Sequence, residues 1–337
     1  MDRARRRKTV LIGAVAAAAA LVVGGVVVLR AENRDAPVEA VRAYVEAIAR
    51  GDGAAANAVD PRGFASAADP DVAAAALAGA TERITLVGVA VDKYADTDAD
   101  TVEVRVEYRL ANVPNSVNLR VERADPGLVD TWRVIDPFLI PVRVQSTLPV
   151  LGTATIGDAE IPVTGLATEG HPQRAVHLYP GVYPLRAKES RYVRSTRVGP
   201  LVVDTGNYGQ RPEDTPGNTV ETAIDYEATP DLYTLVTERT SEHVAKCFAE
   251  PRTPACPDVH HPRADGKPRM DSAPVVDRIT EYQTPHGSSE SPLRFSANGG
   301  RYSYTSDGQT RSGVFVVFGQ VVVTSEGDAT VKFTPEL

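Results

Sequence analysis

The chain has 337 residues, a formal net charge of −8, 42% hydrophobic but only 6% aromatic residues, and two cysteines. Its first eight residues carry five basic groups and one acid, so the remainder carries −12. That acidic balance excludes nucleic acid as a partner, and nonspecific adhesion to anionic surfaces through net charge. The length allows two or three domains.

Arg3, Arg5, Arg6, Arg7 and Lys8 precede an uncharged apolar stretch over residues 10–29. At a rise of about 1.5 Å per residue, twenty helical residues cover about 30 Å, the hydrocarbon thickness of a bilayer. The basic cluster stays on the cytoplasmic side. The pattern therefore predicts a cytoplasmic tail over 1–8, a transmembrane anchor over 9–30, and an extracytoplasmic remainder. A cleaved signal has an apolar core of about 7–15 residues and small residues before the cleavage point. Here the core is longer, and Leu29 and Arg30 are not small. An uncleaved, single-pass anchor in the cell membrane is the expected form.

Residues 37–142 read as an α+β domain. Pro37 suits a first helical turn, and Val38, Val41, Tyr44, Val45 and Ile48 recur at three and four residues until Gly51-Asp52-Gly53. A short Ala-rich helix is expected to about residue 59. Another starts at Asp69-Pro70-Asp71, where an acid caps and a proline occupies the first turn. The period then changes to two. Val102, Val104, Val106, Tyr108 and Leu110 alternate with Glu103, Arg105, Glu107 and Arg109, a strand buried on one face and wet on the other. Segments 84–91, 117–123 and 132–135 complete a meander, with the helices covering one sheet face.

The phrase from Val41 through Ala43-Tyr44 to Arg50-Gly51-Asp52, the small-residue helices and the closing Thr131-Trp132-Arg133-Val134 resemble the nuclear transport factor 2-like superfamily. More narrowly, they resemble its membrane-anchored versions in bacterial cell-envelope proteins. The resemblance covers about residues 37–142. It implies a cone of helices on a curved antiparallel sheet, with a hollow that holds a ligand or an active site in some members. Enzymatic members place a carboxylate or histidine in that hollow. None of the six histidines lies between residues 38 and 140, and the carboxylates of the clearest strand fall on its wet face. Asp92 and Asp136 remain as acids at strand ends, where capping a turn is the commoner role.

Residues 143–209 carry short apolar segments separated by Gly and Pro, at 153–156, 161–163, 176–178, 183–187 and 201–203. They predict a small all-β module. In Tyr179-Pro180-Gly181-Val182-Tyr183, proline followed by glycine predicts a type II turn with tyrosines paired across the strands. A linker follows over 205–219. Residues 219–337 form a second α+β domain. It has strands at 220–226, 275–282, 293–296, 301–305, 313–324 and 329–334, and a helix from Pro230 to near Phe248. The run from Val314 to Val323 is apolar almost throughout and reads as a central strand covered on both faces.

Cys247 and Cys256 are the only cysteines. Outside the cytoplasm they predict a disulfide that ties the end of the helix to a Pro-rich loop. With His243 and His260 they also form a potential zinc array, but the spacing differs from that of ordinary zinc sites, so no metal is expected. Asp96, Asp98, Asp100 and Glu107 copy part of a calcium loop, yet Thr101 stands where the turn needs glycine. No Gly-x-Ser-x-Gly elbow, Ser-x-x-Lys, His-Glu-x-x-His or phosphate-binding glycine loop is present.

Together these features predict a membrane-anchored, extracytoplasmic binding or scaffold protein without catalytic residues or cofactor. Its partners would be the membrane, through the N-terminal helix, and either an envelope protein or an apolar ligand. A sensor or carrier using the N-terminal hollow is the alternative, and an enzyme the third reading.

Overall fold

The computed structural model describes residues 35–59, 69–91, 99–125, 131–135, 138–165, 175–196, 199–204, 219–249, 255–259, 264–281 and 293–334. The fold is mixed α+β, with four α-helices among the described residues, many strands and a curled half-barrel sheet. Contacts divide the chain into two compact units. The first holds Met1–Pro141, His177–Tyr183 and Val202–Asn218; the second holds Val142–Val176, Pro184–Leu201 and Thr219–Leu337. The expected anchor with Arg3, Arg5, Arg6, Arg7 and Lys8 lies outside the described residues, as do Asp92, Asp96, Asp98, Asp136, His260 and His261. Among the described residues, no helix is long and apolar enough to cross a membrane.

In the first unit, helix α1 (Ala36–Arg50) buries Val41, Tyr44, Val45 and Ile48, the stripe its sequence period marks out. Helix α2 (Gly53–Val59) follows. Helix α3 (Pro70–Ala78) is capped by Asp69, whose Oδ1 accepts from the Asp71 and Val72 amides at 3.1 and 3.4 Å. The sheet is an antiparallel meander of β1 (Thr85–Val91), β2 (Thr101–Leu110), β3 (Val113–Asp125) and β4 (Thr131–Val134), in that order. Strand β2 alternates buried and exposed residues along its whole length. Its inward valines share one core with the α1 stripe and with Val117, Leu119 and Val121 of β3. The turn between β2 and β3 is two residues, Ala111 and Asn112, both at positive φ (50° and 63°), the geometry that matches the strand twist.

The Tyr-Pro-Gly segment departs from its expected turn. Gly181 is not at the positive φ that a type II turn requires. Instead, Gly181–Tyr183 is a short strand pairing antiparallel with Glu82–Arg83. Close packing, not a positive φ, accounts for the glycine: a Cβ on Gly181 would lie 3.0 Å from the Tyr183 ring. Tyr179 and Tyr183 are both buried, and the Tyr183 hydroxyl donates to the Tyr179 carbonyl at 2.6 Å. Burial pushes the Tyr183 phenol above its ordinary range, with the Arg83 charge opposing the rise.

In the second unit, Val220–Ile224 pairs in parallel with residues 142–146, and the Thr153–Ile156 and Ala159–Pro162 hairpin adds Leu185–Ala187. Val193–Ser195 pairs with Tyr226–Ala228. Helix α4 (Pro230–Ala249) buries Leu232, Val236, Thr240, Val244 and Cys247. The main sheet contains β5 (Arg269–Ser272), β6 (Val275–Glu281), β7 (Leu293–Ser306), β8 (Gln309–Val323) and β9 (Ala329–Thr334). Strand β8 lies between β7 and β9, while β5 and β6 both pair with β7 on its other side. Two segments expected as separate strands, 293–296 and 301–305, are one strand with a register shift between Ala297 and Gly300.

The central position of β8 agrees with its apolar composition, but its coverage does not. Phe315, Val317, Val321 and Val323 are buried, and the Phe248 ring of α4 meets Phe315 at 5.7 Å between centroids. On the alternate positions Val314 is 74% exposed and Phe318 37%. The helix shields one sheet face only.

Candidate functional site

The face of β8 opposite its buried residues carries two of the exposed large hydrophobic residues, Val314 and Phe318. Side chains alternate across a strand, so Val314, Val316, Phe318, Gln320 and Val322 share the face opposite the buried set. Register places their neighbours. Arg301 lies beside Val314, and Ser296 beside Phe318, with Arg278 beyond it on β6. Arg294 and Lys332 flank Gln320 from β7 and β9. Arg278, Arg301 and Lys332 are exposed. Asp271, farther along the same face, is held by Arg269 at 3.1 Å and by the Ser303 hydroxyl at 2.9 Å. An apolar row bordered by guanidinium and ammonium groups thus occurs on a chain whose overall balance is acidic. Val314 and Phe318 are exposed and Val316 and Val322 half-buried. Isolated exposed apolar residues are ordinary, whereas an apolar row bordered by Arg and carrying a Phe has the composition of an interface core.

Cys247 and Cys256 come together as expected, at disulfide distance, with Cα atoms 5.5 Å apart. The α4 period turns Cys247 inward, leaving it 5% exposed. His243, one helical turn earlier, lies on the same face, as the i,i+4 spacing requires. Its Nε2 lies 3.5 Å from Cys247 Sγ and donates to the Ala255 carbonyl at 3.0 Å. The ring stacks on Phe333 of β9 at 3.9 Å with planes 4° apart. The potential ligand atoms of His243, Cys247 and Cys256 lie within 4.8 Å of one another.

The interior of the first unit holds a polar cluster that the sequence did not reveal. Asp204, just past a short strand, receives the Tyr108 hydroxyl on Oδ1 and the Asn115 amide on Oδ2, both at 2.6 Å. Tyr108 also packs edge-on against Phe138, with centroids 5.4 Å apart. The Phe138 amide donates to the Tyr44 hydroxyl at 2.9 Å. Tyr44, Tyr108 and Phe138 are essentially unexposed, so these side chains fill the space between α1 and the sheet. Asp204 is 96 residues from Tyr108, and no local pattern could connect them.

Tyr226 donates its hydroxyl to the Lys188 carbonyl at 3.0 Å, and desolvation pushes its phenol up to about 12. Glu189 accepts from the Ser195 hydroxyl at 2.6 Å and the Ser195 amide at 3.0 Å, which hold its carboxyl below the usual range. Both groups brace short strands of the second unit.

Comparison with protein family profiles, with curated proteins and with solved structures finds no match to this chain.

Proposed function

We propose that this chain is a noncatalytic docking protein of the cell envelope, held in the membrane by an N-terminal helix. In this reading the open face of its C-terminal sheet receives an acidic partner protein. The observation that carries it is the apolar row Val314, Val316, Phe318 and Val322 bordered by Arg278, Arg301 and Lys332. Phe and Arg supply the buried anchors of interfaces, and a cationic border steers an anionic partner into register. The basic cluster ahead of the apolar residues 10–29 supports the anchor and the outward orientation. The helical stripe and the meander of the first unit support its assignment to the nuclear transport factor 2-like superfamily.

A carrier with its ligand in the hollow of the first unit is the weaker alternative, because Tyr44, Tyr108 and Phe138 pack there against one another. The test is site-specific photo-crosslinking in native membranes. A photoreactive residue at position 314 or 318 is compared with one at Glu238, an exposed position on α4. Docking predicts one stoichiometric protein adduct from the sheet positions and none from the helix. Equal adducts from all three positions, or none from the sheet, would contradict it.

A further inference from the structure

We propose that the Cys247–Cys256 disulfide masks a soft-metal site, in which both thiolates and His243 Nε2 bind one zinc-class divalent ion after reduction. Three observations support it. First, the histidine is already at ligand distance. In tetrahedral zinc, bonds of about 2.3 Å to sulfur and about 2.0–2.1 Å to nitrogen place S and N about 3.6 Å apart. Cys247 Sγ and His243 Nε2 are 3.5 Å apart. Second, the imidazole is preorganised. Phe333 holds the ring face at 3.9 Å, and Phe295 meets Phe333 edge-on at 5.9 Å, so little ring freedom remains to be lost on binding. Third, Cys247 is buried, whereas His243 and Cys256 are partly exposed, so the site lies at the edge of the core, where solvent can supply a fourth ligand.

The remaining adjustment is between the sulfurs. A disulfide spans about 2.05 Å, whereas two thiolates on one tetrahedral zinc lie about 3.8 Å apart. Rotation of Cys256 on its loop supplies that movement while α4 keeps His243 and Cys247 in place. The chemistry balances. A dithiol reductant gives two electrons and two protons to the disulfide, becomes a disulfide itself, and leaves two protein thiols. Metal binding then releases both thiol protons, while the imidazole stays neutral by moving its proton from Nε2 to Nδ1. In the oxidised chain only the histidine can ligate, so the bond state of one cysteine pair decides whether the site exists.

The experiment uses the full-length protein in detergent, reduced anaerobically with a phosphine that is then removed. It is titrated with Co²⁺ and back-titrated with Zn²⁺. One equivalent of cobalt should develop a thiolate charge-transfer band, displaced by one equivalent of zinc with two protons released per ion. The oxidised protein should give no band. His243→Ala should weaken binding at least about tenfold, since even groups behind a ligand typically contribute 10–100-fold to metal affinity. Circular dichroism and thermal unfolding of the reduced protein accompany the titration. A reduced, folded protein without the band, a His243→Ala protein that binds equally well, or loss of α4 on reduction would each overturn the proposal.

Discussion

Tyr44→Phe tests whether the interior of the first unit is held by specific hydrogen bonds. The side chain is 0% exposed, and its hydroxyl is the acceptor for the amide of Phe138, also fully buried. Removing the oxygen leaves a donor that solvent cannot reach. A buried polar group deprived of its partner costs about 1–3 kcal/mol. For a cooperative unit of 150–250 residues, 1 kcal/mol displaces Tm by about 2–4 °C, so a cost of about 2 kcal/mol lowers Tm by about 6 °C. The assay is thermal unfolding followed by circular dichroism. Tyr192→Phe, at a half-buried position in the second unit, serves as the control. A Tyr44→Phe protein within about 0.5 kcal/mol of the parent, the range of surface substitutions, would refute the reasoning.

Loss of the disulfide through Cys247→Ser with Cys256→Ser should cost about 2–3 kcal/mol for a loop with a sequence separation of 9, read by denaturant unfolding. In the native protein without reductant, both cysteines should resist alkylation, and rapid labelling would show that the bond is absent. Gly319→Ala should destabilise by about 1–3 kcal/mol, because its Cβ would lie 2.4 Å from the Phe295 ring and 2.7 Å from the Lys332 carbonyl oxygen. An unchanged Tm would contradict that packing. Tyr226 titrates near 12 in the fold, against about 10 in the unfolded chain. Its contribution is therefore complete below pH 10 and is lost as pH rises to 12. Alkaline unfolding of Tyr226→Phe should lack that part of the pH dependence, and an identical profile would refute the assignment.

Where one segment contained its own signal, the sequence revealed the fold closely. Strand β2 carries its alternation within ten residues, and α1 carries its stripe within fifteen. Coverage was less legible. The apolar run of β8 shows that the strand is central, but the number of faces covered depends on α4, which lies elsewhere in the chain. Asn298-Gly299-Gly300 is written like a turn, yet it is a bulge. Gly299 takes a φ of 76° there, and the Phe315 ring occupies the space of a Gly300 Cβ. The cysteine pair was readable because there are only two. The polar cluster around Asp204 and the cationic border were not, because the first forms by side-chain contact between segments about ninety residues apart and the second by strand pairing.

The most direct test of the docking face is triple charge reversal, Arg278→Glu with Arg301→Glu and Lys332→Glu. The three side chains are exposed, so each change should alter stability by no more than about 0.5 kcal/mol. The measurement is co-purification of the crosslinked partner with the parent and the variant protein, from the same membranes in mild detergent, over a series of salt concentrations. If the face receives an acidic partner, the parent retains it less well as salt rises and the variant loses it at every concentration. Equal retention by the two proteins, with the variant folded, would contradict the docking function.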